Sequence, residues 1–154
     1  MLDLQIFQDY NENVFDRYGD NKIERREVFE MEQKFYICEH CGNIVAMVKD
    51  AGVPIMCCGE KMKEIVPGTT DAAVEKHIPV YTVEGNLVKV SVGSTEHPMM
   101  PEHFIEWVSL QTKQGNQRKA LRPEDKPEVC FALCEGDEVE AVYAYCNLHG
   151  LWKK

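Results

Sequence analysis

The sequence contains no apolar run near the roughly 18 residues that a membrane helix requires, so no membrane partner is expected. Its first twenty residues, MLDLQIFQDYNENVFDRYGD, have neither a basic start nor an apolar centre and do not read as a secretory signal. The expected location is therefore cytoplasmic. A basic excess is missing too. Lys and Arg number 17 against 26 Asp and Glu, a formal net charge of −9, which argues against a nucleic-acid partner because such binders carry a basic patch. Any anionic ligand must then be drawn in by a local positive field. The seven cysteines are an odd number, which weakens a fully paired disulfide framework. No repeat is apparent, and residues 1–30 lack both Cys and His.

What is present divides the chain into unlike parts. Residues 1–30 carry eight acidic and four basic side chains without a long apolar face. They read as an N-terminal extension, since termini are poorly ordered unless tied down. Met31 is a candidate start, with Arg25-Arg26 just upstream able to be encoded by purine-rich codons. A mature chain beginning at residue 1 or 2, by mass spectrometry, would dismiss that idea. Residues 31–66 hold short β-rich pieces, KFYIC and NIVAMVKD, between Gly and Pro punctuation. Such a segment is too small to fold on an apolar core alone and is expected to need a metal staple. From residue 67 to 154 the pattern is all-β, with turns that suggest a small β-sandwich of the immunoglobulin-like kind. One hairpin is expected around Glu84-Gly85-Asn86, with Val88, Val90 and Val92 on one face. HFIEWVSLQTK reads as a strand with Ile105 and Trp107 on one side and Phe104, Val108 and Leu110 on the other. A further hairpin is expected to turn at Glu135-Gly136-Asp137, and KQGNQRKALRPEDKPE reads as the longest polar loop.

Two groups of soft and borderline donors stand out. Cys38-x-x-Cys41 and the adjacent Cys57-Cys58 supply four thiolates. A CxxC knuckle points both sulfurs at one ion, which suits tetrahedral zinc or iron. Side chains of adjacent cysteines diverge, so angles off the tetrahedral ideal are expected. His40, inside the knuckle, reads as a solvated spacer. These residues do not decide between zinc and iron.

Near the C-terminus, Cys146 and His149 in AVYAYCNLHGLWKK could be half of a metal site, a nucleophile and its base, or neither. With His77, His97 and His103 they make a set of five N/S donors, and these four are all the histidines after residue 66. Five donors exceed the four that zinc normally takes and point to iron, with imidazoles in a plane and thiolate on the axis. The Glu75-Lys76 pair beside His77 is ordinary on a surface. Beside a metal with an open position, Lys76 can steer an anion and Glu75 can cap the vacant position.

At these residues the sequence resembles the desulfoferrodoxins, the two-iron superoxide reductases. FYICEHCGN with MCCGE is similar to the family's desulforedoxin-type FeCys4 domain. EKHIP, EHPMMPEHFIEW and CNLHGLW resemble the three ligand segments of its catalytic domain. The resemblance runs from about Met31 to Lys154. It implies a catalytic iron with His77, His97, His103 and His149 equatorial and Cys146 axial, beside the FeCys4 centre of Cys38, Cys41, Cys57 and Cys58. It also implies Glu75 as sixth ligand of the resting ferric state and Lys76 as the charge that attracts superoxide. The implied activity is one-electron reduction of superoxide to hydrogen peroxide, with an external rubredoxin-like electron donor and a homodimeric assembly. It spares an anaerobe the oxygen that a dismutase releases. A non-catalytic iron or zinc electron-transfer module and a superoxide dismutase are the competing readings. Cys130 and Cys134 match no ligand segment and read as semi-buried structural thiols.

Overall fold

The computed structural model describes residues 32–154. The 1–30 extension and the question of a start at Met31 lie outside the described residues. The chain forms β1 (Phe35–Ile37), β2 (Ile44–Ala46), β3 (Met56–Cys57), β4 (Glu60–Lys61), β5 (Lys63–Glu64), a short helix α1 (Val74–His77), β6 (Pro79–Glu84), β7 (Leu87–Val92), β8 (Ile105–Thr112), β9 (Gly115–Ala120), β10 (Glu128–Ala132), β11 (Val139–Cys146) and β12 (Gly150–Lys153).

Two antiparallel sheets, ordered β10-β7-β6 and β12-β11-β8-β9, face each other across one apolar core. Val88, Val90, Val92 and Phe131 from the first sheet meet Ile105, Val108, Leu110, Val142, Ala144 and Cys146 from the second. The expected alternation in β7 is present, with Val88, Val90 and Val92 all but fully buried. Its hairpin closes through Gly85-Asn86, since Glu84 pairs with Leu87. Gly85 takes φ 61, a left-handed value that a two-residue turn requires and a side chain resists.

Three local expectations are corrected. Ile105 does not share a side with Trp107. Ile105 pairs with Cys146 and Trp107 with Tyr145, so Glu106 is an extra residue in the register. The bulge reverses the alternation, placing Ile105 with Val108 and Leu110. The strands flanking Glu135-Gly136-Asp137 are not a hairpin. β10 pairs with β7 while β11 lies between β8 and β12, so that turn carries the chain from one sheet to the other. Part of the long polar loop is in fact strand β9, paired with β8 from Trp107–Ala120 to Thr112–Gly115. An edge strand with water on its outer side has no need of apolar alternation, and its charges discourage pairing with other chains.

The second sheet is buried on its other face as well. Trp107, Ala141, Tyr143, Tyr145 and Leu151 are covered by Phe35, with Ile44, Ala46 and Ile65 packed alongside. Phe35 sits 4.9 Å from the Trp107 ring and 5.4 Å from Tyr143, while Trp107 and Tyr145 stack at 5.2 Å. The small sheet β2-β1-β5 thus packs its apolar side chains against the sandwich. The chain is mostly β, with a small four-cysteine unit followed by a β-sandwich. Cys130 is half-buried, but Cys134 is exposed in the β10–β11 connection, so only the first fits the expectation of semi-burial.

Candidate metal centres

Two clusters of donor atoms form among the described residues, each with all its donors within 4.8 Å of one another: Cys38, Cys41, Cys57, Cys58, and His77, His97, His103, Cys146, His149. These are the nine residues singled out in the sequence.

In the first cluster the knuckle follows β1. The Cys38 N–H donates to Asn43 O at 2.9 Å and the Gly42 N–H to Cys38 O at 2.8 Å, closing the loop so that both sulfurs face inward. The second pair ends β3 and solves its adjacency through the backbone. Cys58 takes φ 51, a left-handed conformation that swings its side chain back toward that of Cys57. The two sulfurs lie 3.9 Å apart, and Cys41 Sγ is 3.7 Å from Cys57 Sγ. A regular tetrahedron with metal–sulfur bonds of about 2.3 Å has edges of about 3.8 Å, so both separations suit sulfurs that share one metal ion. The Cys38 thiol is drawn down to about 7 by the Cys41 N–H, with the His40 N–H assisting. Cys58 is pushed up to about 12 by the neighbouring sulfurs of Cys41 and Cys57. Four sulfurs this close cannot all ionise without a cation among them. Cys38 is buried while Cys41 and Cys58 are exposed, so the cluster presents an open edge. His40 is exposed and stands outside it.

The second cluster gathers three chain segments at one end of the sandwich. His77 closes α1, His97 and His103 come from the β7–β8 connection, and Cys146 ends β11 just before His149 in the turn to β12. The ring centroids of His77–His97, His97–His103, His103–His149 and His149–His77 are 4.7, 4.6, 4.8 and 4.7 Å apart, with each neighbour nearly perpendicular to the last. His77 and His103, across the diagonal, are 6.2 Å apart. Four equal edges and a longer diagonal describe a near-square of imidazoles. Cys146 Sγ lies 3.6 Å from His149 Nδ1.

Hydrogen bonds fix which ring nitrogens point inward. His77 Nδ1–H donates to Ala73 O at 2.7 Å and His97 Nδ1–H to Pro98 O at 2.6 Å, leaving both Nε2 atoms as lone-pair donors. His77 Nε2 faces His149 Nδ1 at 2.9 Å, close to the roughly 3.0 Å between adjacent corners of a square with metal–nitrogen bonds of about 2.1 Å. His97 Nε2 and His103 Nε2 are buried without a hydrogen-bond partner. Buried polar atoms of this kind are costly unless something electropositive satisfies them. Burial draws His97 down to about 4 and lowers His77 and His103, reinforced by the charge each ring would place on the others. All three shifts favour the neutral imidazole, the form that can donate to a metal. Burial raises Cys146, against the opposing N–H groups of His149 and Leu148 directed at its sulfur. The donor set therefore fits a metal ion with more than four ligands.

Glu75 and Lys76 lie exposed on α1 beside His77. The Lys76 charge is felt at His77 and His103, lowering both. Lys76 also lines a cleft of about 480 Å³ that reaches His97 and contains Lys126, Glu96, Glu124 and Asp125. Sequence reasoning missed the supporting groups: Ala73 O, Pro98 O, Asn147, and Trp152, whose ring stacks on His77 at 4.9 Å and whose Nε1–H donates to His149 O. Only Asn147 carried a signal, as the polar residue inside CNLH.

The desulfoferrodoxin family matches residues 69–154, and the family of desulfoferrodoxin N-terminal domains matches residues 30–65. The chain belongs to the desulfoferrodoxin family. Desulfoferrodoxin of Nitratidesulfovibrio vulgaris is 46% identical over 122 residues, 79% of this chain and 95% of that one. A desulfoferrodoxin homolog of Archaeoglobus fulgidus is 46% identical over 118 residues, 77% and 93% of the two chains. The crystal structure of the superoxide reductase from Treponema pallidum matches with a TM-score of 0.69 at 46% identity, covering 80% of this chain and 98% of that one. As in desulfoferrodoxins, there are two metal sites, one of four cysteines and one of four histidines and a cysteine.

Proposed function

We propose that this desulfoferrodoxin is a superoxide reductase, and that His77, His97, His103, His149 and Cys146 would together hold the catalytic iron. The observation that carries the reading is the near-square of four imidazoles beside a buried cysteine. Iron bound there would supply a single electron and a Lewis-acidic position for superoxide. Superoxide takes up that electron and two protons and leaves as hydrogen peroxide.

The residues around the centre divide the work. The Leu148 and His149 N–H groups, by donating to the Cys146 sulfur, favour negative charge on it and would temper its donation to a bound iron. The outer carbonyls of Ala73 and Pro98 keep the His77 and His97 rings in one tautomer and one orientation. Lys76 supplies the local positive field that a chain of net charge −9 lacks globally, and Glu75 would be the residue to cap the open position of a bound iron. Residues 31–66 then form the four-cysteine iron domain and residues 67–154 the catalytic sandwich.

Re-reduction comes from an external one-electron donor of the rubredoxin type, for which the exposed Cys41 and Cys58 edge offers an entry point. The assembly is a homodimer, to be checked by sedimentation. No helix among the described residues is long and apolar enough to cross a membrane. The cytoplasm suits a chain whose cysteines cluster as metal donors.

The test is anaerobic superoxide consumption by protein of known iron content, with and without a reduced donor. About two irons per chain and donor-dependent consumption are expected. Turnover without a reductant would instead make it a dismutase, and zinc in the histidine site without superoxide consumption would remove the enzymatic reading.

A further inference from the structure

The four imidazoles are not supported in the same way. His77 and His97 are each oriented through the ring, by a carbonyl outside the cluster. The rings of His103 and His149 have no such outer acceptor among the described residues; the ring contacts of His149 go to His77 and Cys146, inside the cluster. A metal-ligating histidine usually gains both orientation and basicity from its other ring nitrogen. Something else must hold these two.

Asn147 lies between Cys146 and His149 and reaches across to the segment that carries His103. Its Oδ1 accepts the Phe104 N–H at 2.9 Å, and its Nδ2 donates to Glu102 O at 3.0 Å. Its own N–H donates to Phe104 O at 3.2 Å. The two residues flanking His103 are thus both bonded to one side chain, more than 40 positions away in sequence. On the other side, His103 is bridged to Met100 by a reciprocal pair of backbone bonds at 3.0 Å. Backbone positions fixed to this degree leave the ring little more than its own torsions to settle.

We infer that Asn147 is a positioning residue of the histidine–cysteine centre, binding the His103 segment to the Cys146–His149 turn so that two imidazoles and the thiolate move as one unit. The inference rests on the reading that these five side chains hold a metal. The side-chain chemistry is specific. The site needs one acceptor and one donor on the same short, planar group, which only asparagine supplies. Aspartate has the same shape but would turn an oxygen toward the Glu102 carbonyl.

The test compares the wild-type, Asn147→Ala and Asn147→Asp holoproteins in a chelator challenge. Metal loss from each centre is followed by its own visible absorption, so the four-cysteine centre serves as an internal reference. Both variants are expected to lose metal from the histidine–cysteine centre about 10- to 100-fold faster than wild type, with a shifted thiolate charge-transfer band. The four-cysteine centre and the β-sheet circular dichroism should not change. Because aspartate fills the same volume, its failure would assign the effect to the lost bond rather than to packing. Wild-type retention in Asn147→Asp would overturn the inference. So would parallel loss from both centres, or loss of sheet signal in both variants, since either would make Asn147 a residue of the fold. If the wild-type protein itself holds no metal at this centre, the reading of the site fails first, and that result is distinct from the others.

Discussion

The proposed function gives two side chains separable tasks in superoxide chemistry. Lys76 is exposed and touches none of the donor atoms by hydrogen bond, yet its charge acts on His77 and His103. Lys76→Ala should therefore slow the second-order reaction with superoxide by about tenfold at low salt and flatten its dependence on ionic strength, with iron content intact. Pulse radiolysis across a salt series reads this, and an unchanged low-salt rate would count against steering. Cys146 is fully buried at the end of β11. Cys146→Ser keeps nearly the same volume, so the sandwich should fold, but it replaces a soft, polarisable donor with a hydroxyl that stays protonated. Loss of the thiolate charge-transfer band, and of activity by about 100-fold or more, is the expected result. Retained activity would contradict the axial assignment. The five donors were legible in the sequence because a metal site demands particular side-chain types, and four histidines with one cysteine narrow the options sharply, whereas the role of Lys76 toward superoxide came only with the family resemblance. Their supports were not legible: the Ala73 and Pro98 groups that orient His77 and His97 are backbone carbonyls, which every residue has.

The Glu75–Lys76–His77 segment owes its place to a neighbouring turn. Gly93 has φ 84, and a Cβ there would stand 2.6 Å from Lys76 O and 2.8 Å from Lys76 C, and would also collide with Thr95 O. Around this close approach, Gly93 N–H donates to Ile78 O at 3.1 Å, Thr95 N–H to Glu75 O at 3.0 Å and Ser94 Oγ–H to Glu75 O at 3.2 Å. A bracket of three residues thus grips α1 by its backbone. Gly93→Ala should force the Lys76 peptide outward and cost about 1–3 kcal/mol in strain. Its superoxide rate constant should fall toward that of Lys76→Ala, while the absorption of the four-cysteine centre does not change. An unaltered rate with lowered stability would show that the bracket serves the fold alone. In the sequence, Gly93-Ser94 merely follows Val92 and carries no sign of this bracket. The same limit explains β9, β10 and the Glu106 bulge. Alternation reports which face a residue takes, but the partner of a strand is chosen by contacts tens of residues away, and a polar edge strand offers no alternation to read.

At the scale of the molecule, the sheet β12-β11-β8-β9 is the shared wall of everything described. One face closes the sandwich core and the other supports the four-cysteine unit, while the ends of β8 and β11 meet the histidine–cysteine centre. The four-cysteine unit has short strands and few buried apolar side chains of its own, with Phe35 and Met62 among them. Its stability must come from two sources, the metal among its sulfurs and the docking of Phe35 between Trp107 and Tyr143. The sequence showed the first source plainly, through the cysteine spacing. It concealed the second, because an aromatic residue in a short β-piece looks the same whether it packs within its own unit or against another. Phe35→Ala separates the two. Truncating a phenylalanine that is 1% exposed should destabilise the chain by about 3–5 kcal/mol, read as a lower urea midpoint by tryptophan fluorescence. If the metal alone organises the sulfurs, the absorption of the four-cysteine centre in the folded variant should match wild type. A changed spectrum would mean that the sandwich face shapes that centre as well as anchoring it.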